Sequence, residues 1–222
     1  MTTASARPGN RIDRRKARTR AALIQAAQTL IAEDRTNVPI LEITQAADVG
    51  MGSFYNHFES KEQLFDAAVE AVMDAYGELL DRVTAGIEDA DEVFAASFRL
   101  TGRLHRREPE LSKVLLNNAL RLLSAPNGLA PRVRRDIEAA VESGRFEVAD
   151  LDVAVTMAAG ALIAVGPLLL DQPDRDVDTT TDRVTQDLLR MFGVPARRAQ
   201  RICSLPLPEL TPEEPGQWPD GA

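Results

Sequence analysis

Apolar residues recur along this chain with the period of helices. Leu23, Ala26, Ala27, Leu30 and Ile31 fall at i, i+3, i+4, i+7 and i+8, one face of an amphipathic helix over 11–33. Asn37-Val38-Pro39 breaks that pattern and opens the next. Ile40, Ile43 and Ala47 then share a face of a short helix. Asp48 follows, a residue that tolerates the left-handed backbone of a tight turn, and Gly50 is an acceptable N-cap for a second short helix. Phe54 and Phe58, four apart, face inward together. Ser60 and Gln63 form a capping box at the head of a long helix. Leu64, Phe65, Ala68, Val72, Met73, Tyr76, Leu79, Leu80 and Val83 keep one apolar face along it, and at 1.5 Å per residue it spans about 35 Å.

Past Gly86 and the acidic run at 88–92, the spacing predicts helices over 91–107 (stopped by Pro109), 110–124 (stopped by Ala125-Pro126-Asn127-Gly128) and 131–143 (ended at Gly144). A very apolar segment starts at Asp150. A last long helix at about 179–192 carries Val184, Leu188, Met191 and Phe192 on one face, with Gly193 as its stop, and 196–203 adds a short helical turn. No alternating β pattern stands out, and the core is mostly Ala, Leu and Val, so the fold class is all-α. There are no internal repeats.

The stretch 153–170 has 18 residues without a charge, the threshold for a membrane span. Its flanks are acidic where a span is anchored by cationic or aromatic residues, and Gly160, Gly166 and Pro167 interrupt it, so no membrane contact is expected. A soluble chain buries such a helix in a core or an interface. The small residues Ala158, Ala159, Gly160, Ala161 and Ala164 permit close approach of another helix. Helices at about 150–171 and 179–193 could pair with the same two from a second copy as a four-helix bundle, which makes the chain a homodimer.

Charge sharpens the picture. The chain carries −8 overall, but residues 1–20 hold seven basic residues and one acid, a net of +6, leaving −14 on the remainder. A basic arm on an acidic body can follow phosphates while the body stays clear of them. Arg14, Arg15, Lys16, Arg18 and Arg20 crowd the positive end of a helix dipole and need a partner or full solvation. The single cysteine, Cys203, rules out an intrachain disulfide and a multi-cysteine metal site. No apolar stretch follows the basic N-terminus before Leu23, so a secretory signal is not expected and a cytoplasmic location is. Neither cofactor nor metal is implied. The divisions read from these shifts are a disordered basic arm at 1–12, a small helical domain at 13–60, a larger helical domain at 61–205 and a disordered tail at 206–222, which holds five prolines and four acids in 17 residues.

Two short helices joined by a tight turn make a helix-turn-helix unit. Its second helix, 51–57, presents Met51, Gly52, Ser53, Tyr55, Asn56 and His57 outward, a small, nearly uncharged set suited to base edges and phosphates. The run V-G-M-G-S-F-Y-N-H-F-E-S-K-E-Q-L resembles the DNA-binding signature of the TetR family of transcriptional regulators. Ile43, Ala47, Val49, Gly52, Phe54, Tyr55, His57, Phe58, Ser60, Lys61, Glu62 and Leu64 match it in one frame. Thr44 stands for the usual alanine, Asp48 for glycine, Gly50 for serine or threonine, and Pro39 where threonine often caps the second helix. The resemblance is specific over about 15–75 and one of pattern beyond.

It implies an N-terminal three-helix DNA-binding head, a C-terminal helical ligand-binding and dimerisation domain, and dimers paired through the last two long helices. The implied activity is that of a repressor bound to a palindromic operator of double-stranded DNA and released when a small molecule moves the long connecting helix. Ser53 and Asn56 are the candidates for base edges and Met51 for a thymine methyl. Tyr55, His57, Lys61, Arg18, Thr44, Gly50 and Gly52 complete the candidate DNA-binding set, with packing inside the head as the alternative for Tyr55 and His57. For the effector, polar residues on apolar faces are candidates: His105, in line with Phe94, Phe98 and Thr101, and Asn118. Met73, Tyr76 and Met157 join them, although such residues are more often plain core. Few aromatics and no clear charged cluster point to an apolar or mixed effector. An enzyme is disfavoured by the absence of H-x-x-x-H, C-x-x-C and G-x-S-x-G. A helical protein-interaction module and a TetR-like activator remain as alternatives.

Overall fold

A computed structural model describes residues 9–33, 35–123 and 128–210, and among them every regular element is a helix. The described chain divides into two compact units, 9–71 and 72–210. The first holds α1 (Gly9–Ala32), α2 (Ile40–Ala46), α3 (Met51–Tyr55) and the opening turns of α4 (Lys61–Thr84). Its core is Leu23, Ala27 and Leu30 of α1, Ile43, Phe54, Phe58, and Leu64 and Ala68 of α4. Because Leu64 and Ala68 complete this core, the division falls inside α4, about ten residues past the point expected from the motif.

The second unit takes the rest of α4 with α5 (Ala90–Arg107), α6 (Pro109–Asn117), α7 (Ala119–Leu123), α8 (Leu129–Glu142), α9 (Leu151–Asp171), α10 (Val177–Met191) and α11 (Ala196–Ser204). α5 is the hub and packs on α8, α9 and α10. Phe94, Phe146 and Phe192 meet at centroid separations of 5.2–5.7 Å, within the range where tilted and edge-on ring pairs attract. Asp150 and Asp176 cap α9 and α10 through bonds from the amides of Val153 and Thr179.

Several expectations are corrected. Residues 9–12, expected to be disordered, already belong to α1, and 1–8 lie outside the described residues. The helix expected over 110–124 is two. Asn118 leaves helical geometry (φ −113°, ψ 9°) while its Nδ2 donates to the Val114 carbonyl, the local competition by which asparagine ends helices. Pro131 does not begin its helix but sits in the first turn of α8, where no amide hydrogen is required. Of the tail, 206–210 is among the described residues, and Pro206, Leu207 and Pro208 line a surface pocket together with Arg99, which donates through Nη1 to the Leu205 carbonyl; its continuation from 211 is outside the described residues. α9 is long and apolar enough to cross a membrane, yet Ala154, Ala158, Leu162, Val165 and Leu169 are buried against the second unit's other helices.

Candidate functional site

The head is built by local chemistry. Asp48 holds φ at 51°, the one non-glycine residue with positive φ among those described. The Val49 amide donates to Thr44 O at 2.9 Å, closing the turn. Gly50 is the N-cap of α3, and the Ser53 amide donates to its carbonyl. Phe54 and Phe58 are buried, with rings 6.0 Å apart. At the start of α4 the Gln63 amide donates to Ser60 Oγ, while Gln63 Oε1 accepts from the amide of Glu59, one residue earlier than the capping box predicts.

This packing turns one side of α3 outward. Met51, Gly52, Tyr55 and Asn56 are exposed, and Ser53 and His57 are half-buried. α3 ends at Tyr55, so His57 stands in the following turn instead of on the helix. A Cβ added at Gly50 or Gly52 would meet nothing within 4 Å. Arg20 lies over the Phe58 ring, 5.3 Å from its centroid. His57 is held below its ordinary pKa by partial burial and by the positive charges of Lys16 and Arg20. Arg18 is exposed on the same helix, and Lys61 Nζ donates to Asn37 Oδ1 at 3.4 Å. Thr44 does not belong to this surface. It is 1 % exposed, and its hydroxyl donates to the Leu41 carbonyl; it lies one turn beyond Ile40, on the inward side.

In the second unit a cavity of about 30 Å³ opens between α4, α5, α8 and α9. Leu80, Phe94, Phe98, Leu129 and Leu162 give it apolar walls, Ser97 and Thr101 contribute hydroxyls, and one end is charged: Asp81, Arg132, Arg135 and Asp136. Arg132 Nε donates to Asp81 Oδ2 at 2.9 Å, and Arg135 Nη2 donates to Asp81 Oδ1 and Asp136 Oδ1, both at 2.7 Å. Asp136 is buried, and desolvation raises its pKa despite the neighbouring Arg135. Asp81 feels the same penalty, but two arginines outweigh it and its pKa is lowered.

None of the five residues proposed from sequence for the effector lines this cavity. Met73 and Tyr76 are buried on α4, where burial pushes the Tyr76 hydroxyl up to about 12. His105 is buried between Ser112, whose Oγ is 2.7 Å from Nδ1, and the Leu162 carbonyl, 3.2 Å from Nε2. Asn118 is engaged with Val114. Met157 is 41 % exposed on the outer side of α9 and cannot face an interior cavity of its own protomer. The sequence pattern points to Phe94, Phe98 and Thr101 only as companions of His105, and it does not reveal the charged cluster as a cavity wall. A signal was present: R-x-x-R-D places Arg132, Arg135 and Asp136 at i, i+3 and i+4, one helix face.

Comparison with known proteins agrees with this geometry. Residues 23–68 match the family described as bacterial regulatory proteins, tetR family, and residues 89–205, more than half of the chain, match the tetracyclin repressor-like C-terminal domain. The structure of RolR without ligand is 38% identical, with a TM-score of 0.70 over 86% of this chain and 100% of that one. RolR in complex with resorcinol is 36% identical, with a TM-score of 0.66 over 90% and 100%. The HTH-type transcriptional repressor KstR2 of Mycolicibacterium smegmatis is 31% identical over 88 residues, 37% of this chain and 43% of its own length. The chain thus spans less than half of that curated relative. Members of the matched family bind DNA operators and small-molecule effectors as dimers. With its head, its effector-type helical domain and both family matches in register, the chain belongs to the TetR family of ligand-responsive transcriptional regulators.

Proposed function

We propose that this chain is a soluble, cytoplasmic, dimeric repressor, without enzymatic activity, that holds a palindromic operator and is released by a small hydroxylated aromatic compound. The exposed side of α3 supports the DNA contact. Ser53 and Asn56 reach base edges and Met51 a thymine methyl. Tyr55, His57, Lys61 and Arg18 engage phosphates, since the cations that depress His57 also create a positive potential there. Gly50 and Gly52 fit the same reading: no packing within the head demands a glycine at either position, so the demand for bare backbone comes from outside. The second copy is taken up by α9 and α10, where Val153, Met157, Leu170 and Met191 leave apolar surface exposed and Gly160 has open space; light scattering at low micromolar concentration reads this.

The effector class rests on one observation: aromatic walls and a charged end in a single cavity. Phe94 and Phe98 suit the faces and edges of a ring, and two arginines with two carboxylates suit hydroxyl groups, which donate and accept. RolR, similar along its whole length, has been solved with resorcinol. The test is selection of bound duplexes from a random pool. Release of the selected duplex is then measured with resorcinol, catechol, phenol and a fatty acyl compound, and a transcription assay separates repression from activation. Release by the dihydroxybenzenes alone supports the proposal; release by the acyl compound alone overturns the effector class, and failure to bind any duplex at low salt overturns the rest.

A further inference from the structure

The charged wall of the cavity is also what fastens α8 to α4. Arg132 lies along α4 between two of its carboxylates, with Nη1 2.7 Å from Asp74 Oδ1 and Nε 2.9 Å from Asp81 Oδ2. The same Nη1 donates to the Gly128 carbonyl at 2.8 Å. Asp74 and Asp81 are two helical turns apart on one side of α4, and Gly77 lies between them. A Cβ at Gly77 would stand 2.6 Å from Cδ and Nε of Arg132 and 2.7 Å from Cζ. Glycine in the middle of a helix costs roughly 0.5–1 kcal/mol relative to alanine. Here the missing side chain is the seat in which the guanidinium arm rests. Asp81, Arg132 and Arg135 line the cavity; Asp74 and Gly77 do not.

Volume decides what an entering ring must do. An apolar cavity that takes up benzene has about 150 Å³, whereas this one has about 30 Å³. Phe94, Phe98 and Leu162 are locked by packing. The arginines are the lining groups on long, partly exposed side chains, with 19 % of Arg132 and 54 % of Arg135 accessible. A hydroxylated ring therefore gains both room and hydrogen bonds by drawing the arginines away from Asp81.

We infer that Gly77 and Arg132 form the coupling device of this regulator: an effector competes with the α4 carboxylates for the α8 arginines and lifts Arg132 out of its seat on the helix that continues into the head. This rests on the reading of the cavity as the effector site. Resorcinol is the probe, its binding followed by calorimetry and its coupling taken as the ratio of operator affinities without and with saturating probe. Gly77 is itself outside the cavity lining; a Cβ there fills the seat and displaces only the flexible arm of Arg132, leaving the apolar walls and Arg135 in place while the helix gains alanine. Wild type should show a ratio of roughly tenfold or more, within the usual span of allosteric coupling. Gly77→Ala should bind resorcinol within about threefold of wild type, melt no lower, and give a ratio close to one. Asp74→Asn, also outside the cavity, should fall between them and carries the test should Gly77→Ala not fold. A variant that binds resorcinol and keeps the wild-type ratio sinks the coupling device and leaves the cavity reading standing. A wild type that binds no dihydroxybenzene sinks both.

Discussion

Arg198 grips Asp91 with two hydrogen bonds, Nε to Oδ2 at 2.6 Å and Nη2 to Oδ1 at 2.8 Å, and the Asp91 side chain is fully buried. The pair ties α11 to the first turn of α5, and Arg198 reaches Asp89 as well, at 3.0 Å. A buried carboxylate left without its cation is far more costly than the pair is favourable. Arg198→Met should therefore lower stability by about 3–5 kcal/mol, and adding Asp91→Leu should recover most of the loss. Denaturant titrations of the two variants and wild type measure this; equal stability of single and double variants would contradict it.

Asp136 shows the opposite balance. Its pKa is raised because burial outweighs the help of Arg135, so the charged form is held at a cost above the folded-state pKa. A raised carboxylate pKa contributes stability that is complete below the unfolded value of about 3.9 and is lost as pH rises from there through the higher folded value. Asp136→Asn should thus melt at or above the wild-type temperature at pH 7 while binding resorcinol at least tenfold more weakly, since a full hydrogen bond to a charged acceptor contributes roughly 1.5–3 kcal/mol. A drop in melting temperature with binding intact would assign Asp136 to structure alone.

His105 gives the pH dependence of the second unit. Burial lowers its pKa against the smaller opposing effect of the Leu162 carbonyl. That bond is a donation from Nε2–H, which leaves Nδ1 to accept from the Ser112 hydroxyl in the neutral ring. A depressed histidine pKa means that the unfolded chain binds the proton first. The stability it confers is complete above the unfolded value of about 6.5 and is lost as pH falls below it towards the folded value. Melting of wild type and His105→Asn from pH 7.5 to 5.5 should converge as the pH drops. A constant gap would show that His105 keeps its protonation state on unfolding.

What could be read from the residues was local. The turn at Asp48, the cap at Gly50, the Phe54–Phe58 pair and the Ser60–Gln63 cap are each decided within about four residues, and the structure keeps all of them. The cavity is decided by distance along the chain: Asp81 and Arg132 are 51 residues apart, and no periodicity says which faces of α4 and α8 will meet. Met157, exposed on α9, is a different case. α9 is apolar all round, so its pattern does not separate the face turned to the core from the face left outside. Thr44 is a third case: its spacing from Ile40 and Ile43 alone puts it on the inward side of α2, where it is buried.

Gly52 offers the sharpest test of the DNA-facing surface. It is the second residue of α3, where alanine would favour the helix by at most about 0.5–1 kcal/mol, and an added Cβ would enter open space. Nothing in the head therefore rewards glycine. Gly52→Ala should leave the melting temperature unchanged or slightly higher, and Gly52→Val should lower it only by the modest helix penalty of a β-branched residue. If the α3 backbone lies against a groove wall, the larger side chain must push the helix away and weaken the charge-assisted phosphate bonds that hold it in register. Breaking several of those bonds predicts at least a tenfold fall in operator affinity for Gly52→Val. It also predicts a shallower dependence on salt, since every phosphate that is no longer neutralised takes about 0.9 from the slope of log K against log salt. Anisotropy titrations at three salt concentrations read both quantities, and a Gly52→Val variant with wild-type affinity and slope would place the recognition surface elsewhere on the head.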